Sequence, residues 1–228
     1  MAETPPFAAW GLSETALSPA VGGNRNTVLY SDTHVFKTTR RSEAALLWLD
    51  PVQVLAEQAG LKVPRLLPSR HGALKVRGWT CEDRVGFKQG NQDDLIEARE
   101  RIAWVHKNAE TVGQRPDFDA MGHLEPTSIS GDIDLGALPD KLAITCINAW
   151  RSLPAGPLCP IHGDLGLGNL GRSTSGKLVL YDWDEARSDH PWYDTGNEGA
   201  TKARLAYEIA SSWRIEPEYA RSLVAQLN

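Results

Sequence analysis

The chain has 228 residues, of which 41% are hydrophobic and 23% are charged, and its formal net charge is −5. This composition is typical of an ordinary globular protein, and the length allows one large domain or two small lobes. The negative net charge argues against the binding of nucleic acid, which is a polyanion, and favours a cationic or metal-complexed ligand.

The cysteines and the N-terminal segment indicate the compartment. Cys81, Cys146 and Cys159 show no C-x-x-C spacing and are odd in number, which argues against a disulfide framework or a zinc site. The N-terminal segment lacks the charged start and the apolar run of a signal peptide, and no stretch approaches the ~18 apolar residues of a membrane span. We therefore expect a cytoplasmic protein with free thiols, without nucleic-acid or membrane partners; its oligomeric state is not predicted.

The first part of the chain predicts a small α+β unit over residues 1–88. TVLYSDTHVFKT, residues 27–38, is typical of a β-hairpin and follows the glycines of GGNRN. Ser42 can cap a first helical run, and a second run begins with Asp50 as its cap. The alternation over 73–79 predicts a further strand.

The remaining residues, 89–228, predict a mainly helical second unit. NQDDLIEARERIAWVHKN has apolar residues at helical spacing, and Asn91 can cap this helix. Residues 111–137 are rich in Gly, Pro and Asp without periodicity, which predicts a long loop. We expect a strand over 178–181 and further helices over 138–153, 198–213 and 216–227.

Two carboxylate-rich segments follow one another late in the chain. HGDLGLGN, residues 162–169, holds three glycines and favours a loop, and LVLYDWDEARSDHPWYD, residues 178–194, begins as a hydrophobic strand and continues into acids. Phosphoryl transfer from a nucleotide needs such groups, because a carboxylate accepts the proton of the attacking hydroxyl and oxygen ligands hold Mg²⁺. The two segments therefore indicate a phosphoryl-transfer site.

The same segments resemble the H-G-D-x-x-x-x-N and I-D-W-[DE]-x-x-x-x-x-x-P-x-x-D motifs of the aminoglycoside phosphotransferases and related small-molecule kinases. The resemblance implies an α+β, protein-kinase-like fold with two lobes. A small antiparallel-sheet N-terminal lobe would bind the nucleotide over 1–88, and a mainly helical C-terminal lobe over 89–228 would carry the catalytic loop and the metal site. Few residues follow Asp194, which implies that the C-terminal lobe is abbreviated.

The resemblance also implies roles for residues of the two segments. Asp164 is the candidate catalytic base, and His162 braces the catalytic loop without shuttling protons. Asn169 and Asp182 are the implied Mg²⁺ ligands, and Asp184 supports the metal site.

On the N-terminal side, the resemblance implies a site for the nucleotide phosphates. Lys37 is the lysine that grips them, beneath a loop in which Gly22 and Gly23 permit close backbone approach. Asn26 steadies the turn of this loop.

An acid on the following helix should orient Lys37. Glu43 precedes the hydrophobic run LLWL and is favoured, while Glu57 lies on the second half of the broken helix and stays the alternative. Asp194 is implied to be a structural acid that fixes the backbone after it.

The favoured function is Mg²⁺-dependent transfer of the γ-phosphate of ATP or GTP to a hydroxyl of a small molecule. An aminoglycoside or another cationic antibiotic is the first expectation, and acids such as Asp132, Asp134, Glu185 and Glu198 would pair with its ammonium groups. Choline, an amino sugar or an amino acid stays open as the acceptor.

Two further classes of function stay open. One is a kinase-like module that binds nucleotide without turnover. The other is a metal-dependent hydrolase with His162, Asp164, Asp182 and Asp184 as ligands, although that class leaves Lys37 and the glycine loop unexplained.

Overall fold

The computed structural model describes residues 4–20, 25–109, 112–154, 156–196 and 200–227. The strands are β1 (Ser18–Pro19), β2 (Val28–Tyr30), β3 (His34–Thr38), β4 (Trp79–Asp83), β5 (Phe87–Gln89), β6 (Ile129–Ser130), β7 (Ile133–Asp134), β8 (Cys159–Ile161), β9 (Leu170–Ser173), β10 (Leu178–Leu180) and β11 (Arg187–Asp189). The α-helices are α1 (Glu43–Leu47), α2 (Leu49–Gln58), α3 (Gln92–Asn108), α4 (Asp140–Arg151), α5 (Trp192–Thr195), α6 (Thr201–Ser212) and α7 (Pro217–Leu227).

An antiparallel sheet of strands β1, β2, β3 and β4, in that order, dominates the N-terminal part. The predicted hairpin is confirmed as β2 and β3, with Val28 opposite Lys37. Since successive side chains of a strand point to opposite faces, Phe36 is buried against Phe7 and Trp10, while Lys37 points to the other face. The sheet therefore presents its lysine away from its own hydrophobic core.

The strand predicted over 73–79 is wrong, because strand β4 begins only at Trp79. Arg77 and Gly78 have positive φ angles of 50° and 79°, and Val76 pairs with Trp79 across the bend. The left-handed region that this bend requires suits Gly78. The alternating pattern therefore belongs to a tight turn that leads into β4.

The helical run after β3 is kinked, as predicted, but the kink lies earlier than the sequence suggests. Ser42 caps α1 by accepting a hydrogen bond from the backbone N–H of Ala45 at 3.2 Å. Asp50 does not cap α2, because that helix already begins at Leu49. Trp48 keeps helical angles (φ −59°, ψ −27°) and joins the two runs.

Helix α3 begins where the sequence predicts. Asn91 accepts from the backbone N–H of Asp94, whose side chain accepts in return from the N–H of Asn91, so both form a capping box. The apolar stripe of α3 packs into a core that α2, β9 and β10 share. This core places the strands next to residues 162–169 and 178–194 against α3.

The segment after α2 is hydrogen-bonded to the C-terminal part. The N–H of Lys62 donates to the carbonyl of Leu178 at 2.7 Å, and the N–H of Leu180 donates to the carbonyl of Lys62 at 3.0 Å. Strand β5 pairs with β9 as well. The division into lobes at residues 88 and 89 stays a prediction.

Helices α4, α6 and α7 pack into a second core around Trp150 and Ile209 and confirm the three helices expected there. The predicted long loop over 111–137 contains only the short hairpin of β6 and β7 and two 3₁₀ turns among its described residues. Among the described residues, the helices lack the length and apolar character that crossing a membrane requires. The three cysteines are free, as predicted, and all three are buried.

Candidate active site

The loop of residues 162–169 connects β8 to β9 and carries Asp164. The side-chain amide of Asn169 donates to Oδ2 of Asp164 at 2.7 Å and to its backbone carbonyl at 3.0 Å. Gly163 has a φ of 85°, and a Cβ there would lie 2.5 Å from the backbone oxygen of Glu185. The loop therefore needs glycine at this position to bring Asp164 and Asn169 together.

Asp194 holds the start of this loop. Its buried carboxylate accepts from the backbone N–H of His162 at 2.7 Å and from that of Gly163 at 2.9 Å, and Nε2 of His106 lies 3.2 Å away. Burial acts to raise the pKa of Asp194, but the hydrogen bonds from His106 and the backbone lower it overall. Asp194 is therefore a structural acid that fixes the backbone of residues 162 and 163; the backbone after it, which the resemblance implies it fixes, lies partly outside the described residues.

His162 is fully buried beneath the catalytic loop. Its Nδ1 accepts from the N–H of Asp164 at 3.3 Å, and its Nε2 lies 3.1 Å from the carbonyl of Tyr181. Its ring packs edge-on against Trp183, with the centroids 4.7 Å apart. Both ring nitrogens are therefore engaged with backbone atoms, which suits a brace and not a metal ligand of a hydrolase.

Asp182 follows β10 and faces the cleft. It adopts a φ of 63°, a left-handed conformation that Asp tolerates better than most residues. Its Oδ1 lies 3.2 Å from Nζ of Lys37. The structure thus brings the lysine of the N-terminal sheet and the acid of the C-terminal part together.

Asp164 has an environment that suits a proton acceptor. Burial raises the pKa of Asp164 above its ordinary value, and the nearby Asp182 carboxylate adds to this, while His162 and the hydrogen bond from Asn169 oppose it. A carboxylate with a raised pKa is a stronger base than an exposed one. Asp164 is thus suited to take a proton from a hydroxyl in the cleft.

Neither predicted acid contacts Lys37 in the structure. The carboxylate of Glu43 accepts from the backbone N–H groups of Leu74 and Lys75, at 2.6 and 3.2 Å. Glu57 lies 3.3 Å from Arg65. Because α1 begins so soon after β3, its first residue meets the turn before β4 and not the face that carries the lysine.

Lys37 lies instead between Asp182 and Glu82, a residue of β4. Its Nζ is 4.0 Å from Oε1 of Glu82. Burial alone would lower the pKa of the Lys37 ammonium, but these two carboxylates raise it above its ordinary value. Lys37 therefore stays charged in the cleft.

Asp184 is held by Arg41, which is almost fully buried. Arg41 donates to both carboxylate oxygens of Asp184, at 3.2 and 2.8 Å, and to both oxygens of Asp132, at 3.1 Å each. Carboxylate oxygens of Asp132, Asp184 and Glu185 lie within 4.8 Å of one another, but arginines supply the compensating charge. Asp184 therefore anchors Arg41, and its role in supporting a metal site stays a prediction.

The predicted phosphate loop is only partly described. Gly22 and Gly23 lie outside the described residues, whereas Asn26, with its amide turned to donate, reaches the carbonyl of Thr38 at 3.1 Å. Arg25, beside it, donates to Glu185 at 2.7 Å and to the hydroxyl of Ser211 at 3.0 Å. This arginine therefore spans the cleft from the segment before β2 to α6.

A cavity of about 320 Å³ lies between these elements. Asp164, Asp182 and Lys37 line one side, and residues of α6, α7 and the turn between them line the other. The latter are Arg204, Tyr207, Glu208, Ser211, Ser212, Glu216 and Tyr219. The cavity therefore offers room for a second ligand next to the phosphate-binding groups.

Sequence reasoning missed Arg25, Arg41 and Glu82. The arginines lie in short polar segments, where a charged side chain is usually solvated, and nothing local indicates that Arg41 is buried or that Arg25 pairs with Glu185. Glu82 lies two residues after Thr80, the residue opposite Lys37, and therefore on the face that Lys37 shares, but the strand predicted over 73–79 ended before it.

Solved structures of other proteins share this fold. APH(2")-IIia, solved with GDP and kanamycin, matches with a TM-score of 0.60 and 11% identity, over 95% of this chain and 93% of that chain. The microcompartment-associated aminopropanol kinase matches with a TM-score of 0.56 and 17% identity, over 96% and 77%. A choline/ethanolamine kinase family protein from Mesorhizobium loti matches with a TM-score of 0.53 and 15% identity, over 99% and 90%. The predicted α+β, protein-kinase-like fold is confirmed.

The family follows from a match of residues 17–197 to the model of the phosphotransferase enzyme family, APH. The chain belongs to this family and is a phosphotransferase with an alcohol group as acceptor, as the motifs indicate. Among curated proteins, none matches the sequence.

Proposed function

We propose that the protein transfers the γ-phosphate of ATP or GTP, with Mg²⁺, to a hydroxyl of a cationic small molecule. An aminoglycoside or another cationic antibiotic is the first acceptor to test. The observation that carries the proposal is the meeting of Asp164, Asp182 and Lys37 at one cavity, with Asn169 hydrogen-bonded to Asp164.

The residues present fit a magnesium ion. Carboxylate and amide oxygens are the hard ligands that Mg²⁺ prefers. Asp182 has a half-exposed carboxylate, and Asn169 donates its amide nitrogen to Asp164, so that its amide oxygen is the atom left for a cation. When bound, the ion neutralises charge on the phosphates.

The remaining groups position the reactants. Asp164 accepts the proton of the acceptor hydroxyl as the oxygen attacks, while Asn169 and the bracing His162 hold its orientation. Lys37 binds phosphate oxygens with a full positive charge, and its position on a paired strand limits its movement. Most of the catalysis therefore comes from positioning and electrostatics, as is usual for phosphoryl transfer.

The acceptor side of the cavity supports a cationic acceptor. Glu185, Glu208 and Glu216 contribute carboxylates there, and the guanidinium of Arg25 already lies between Glu185 and the hydroxyls of α6. A substrate ammonium group has the same charge and similar donors. The sequence also suggests Asp132, Asp134 and Glu198 as partners of a substrate ammonium group. Asp132 pairs with Arg41, and Asp134 pairs with Arg214 at 2.5 Å. Glu198 lies outside the described residues.

A thermal shift titration tests the nucleotide site first. Purified protein should melt at a higher temperature with ATP or GTP only when Mg²⁺ is present, because ligand at 100 times its Kd stabilises by ~2.7 kcal/mol. Acceptors are then screened by ADP or GDP release, starting with aminoglycosides and continuing with choline, amino sugars and amino acids. No shift with either nucleotide would contradict the proposal.

A kinase-like module without turnover is the alternative that this experiment separates. It predicts the same Mg²⁺-dependent shift but no phosphate transfer to any acceptor or to water. The paired Asp164 and Asn169 favour turnover, because a protein that only binds nucleotide has no need of a proton acceptor beside the phosphates.

The affinity for a cationic acceptor should rise with pH. Burial raises the pKa of Glu185 to about 7, against the opposing charges of Arg41 and Arg25. The charge of Glu185 therefore appears as the pH increases through that value, and KM for the acceptor should fall roughly tenfold between about pH 6 and pH 8. The fall of KM between about pH 6 and pH 8 should disappear in Glu185→Gln. An unchanged pH dependence of KM in this variant would contradict the prediction.

The raised pKa of Glu185 affects the stability of the fold in the opposite direction to the acceptor affinity, because stability falls as the pH rises. Because the folded pKa lies above the ordinary value, Glu185 contributes stability at low pH that is lost as the pH rises through about 7. The free energy of unfolding of the wild type should therefore fall relative to that of Glu185→Gln as the pH rises from about 4.5, the ordinary pKa, to about 7.

A further inference from the structure

Lys37, the lysine of the N-terminal sheet, contacts neither of the two acids that the sequence predicts as its partner. Glu43 is engaged with the backbone of Leu74 and Lys75, and Glu57 with Arg65. An unpaired lysine has a long, flexible side chain and loses considerable entropy when it is held in one place. Some other group must restrict it for the lysine to meet phosphates repeatedly in one position.

The register of the sheet brings Glu82 to Lys37. Val35 opposes Glu82 and Lys37 opposes Thr80 across β3 and β4, so all four side chains share one face. Lys37 and Glu82 form the diagonal pair, which long side chains can span. Their charged atoms lie 4.0 Å apart, and their side chains are only 19% and 14% exposed.

The position of Glu82 has a consequence for the metal site. Lys37 lies between Glu82 and Asp182, so its ammonium is shared between two carboxylates. Asp182 is the nearer of the two, at 3.2 Å against 4.0 Å for Glu82, so without the charge of Glu82 the ammonium would be held mainly by Asp182. The lysine would then compete with a cation for Asp182 and turn away from the phosphates.

We propose that Glu82, and neither Glu43 nor Glu57, is the acid that positions Lys37 for the nucleotide phosphates. This inference rests on the proposed function, since it assumes that phosphates bind beside Lys37. Glu82 is a positioning residue, because it acts through the lysine. The orienting acid thus lies on the neighbouring strand and not on the helix after β3.

The test compares Glu82→Gln with Glu43→Gln and Glu57→Gln, which make the same chemical change at the rejected positions. Calorimetric titration measures the binding of Mg-ATP, Mg-ADP and adenosine to each protein. Glu82→Gln should bind Mg-ATP about tenfold more weakly than the wild type and need more Mg²⁺ for half-maximal binding. Its affinity for adenosine should not change, because adenosine lacks the phosphates that Lys37 meets.

The control variants distinguish a role of Glu82 in positioning Lys37 from a general loss of structure. Glu82→Asp keeps the charge on a shorter side chain and should bind Mg-ATP with intermediate affinity; it replaces Glu82→Gln if that variant does not fold. Normal Mg-ATP binding by the Glu82 variants, or an equal loss in Glu43→Gln, would overturn the inference alone. A wild-type protein that binds no nucleotide would overturn the proposed function, and the inference with it.

Discussion

Replacing Asp164 with Asn should lower kcat by about 10²–10⁴-fold while the affinity for Mg-nucleotide stays close to that of the wild type. Asn still accepts the hydrogen bond from Asn169, so the loop keeps its shape. It cannot accept the proton of the attacking hydroxyl. The loss should therefore appear in the chemical step and not in binding.

Single-turnover kinetics and nucleotide titration on the same preparation measure both quantities. Asp140→Asn is the matched control, because Asp140 is an exposed acid at the start of α4, outside the residues that line the cavity. Similar, small losses in the two variants would show that Asp164 is not the base. A large loss of nucleotide affinity in Asp164→Asn would show that it acts on the metal instead.

Replacing Asp194 with Ala should destabilise the fold by about 3–5 kcal/mol. The substitution leaves His106 and the N–H groups of His162 and Gly163 without their acceptor in a buried place, and each buried donor left unpaired costs about 1–3 kcal/mol. The start of the catalytic loop should loosen as well, so kcat should fall together with stability. Urea unfolding followed by circular dichroism gives the free energy.

The pH dependence of stability distinguishes what the negative charge of Asp194 contributes from what its hydrogen-bond geometry contributes. Its folded pKa lies below the ordinary value, so its contribution to stability is present above that ordinary value and is lost as the pH falls through the folded pKa. Asp194→Asn keeps one acceptor oxygen and should be less damaging than Ala. The gap between wild type and Asp194→Asn should narrow in acid, and a constant gap would argue against a charged Asp194.

The parts of the site that the sequence predicts are those whose residues are close along the chain. Asp164 and Asn169 share one loop, and Asp182 follows the strand that pairs with the strand after this loop, so spacing alone indicates their meeting. The hairpin that carries Lys37 is equally local. Secondary structure and short connections determine these contacts.

The parts that the sequence does not predict depend on how distant elements pack. Glu43 was expected beside Lys37, but the direction of α1 determines its partner, and that direction depends on the turn before β4. Arg41 lies beside Asp184 only because β3 ends over the loop after β10. Such contacts join residues that are distant along the chain, 31 positions apart for Glu43 and Leu74 and 143 for Arg41 and Asp184, and local patterns do not predict them.

The hydrogen bonds between Lys62 and the hairpin of β9 and β10 affect how the cleft can open. They attach the end of α2 to the part of the molecule that carries the catalytic loop, while Leu67 returns to the sheet by pairing with Cys81. The chain changes partners between these points, at Pro64 and Arg65. Opening would therefore swing the sheet of β1 to β4 as the smaller moving body, and Lys37 and Glu82 would travel together on it.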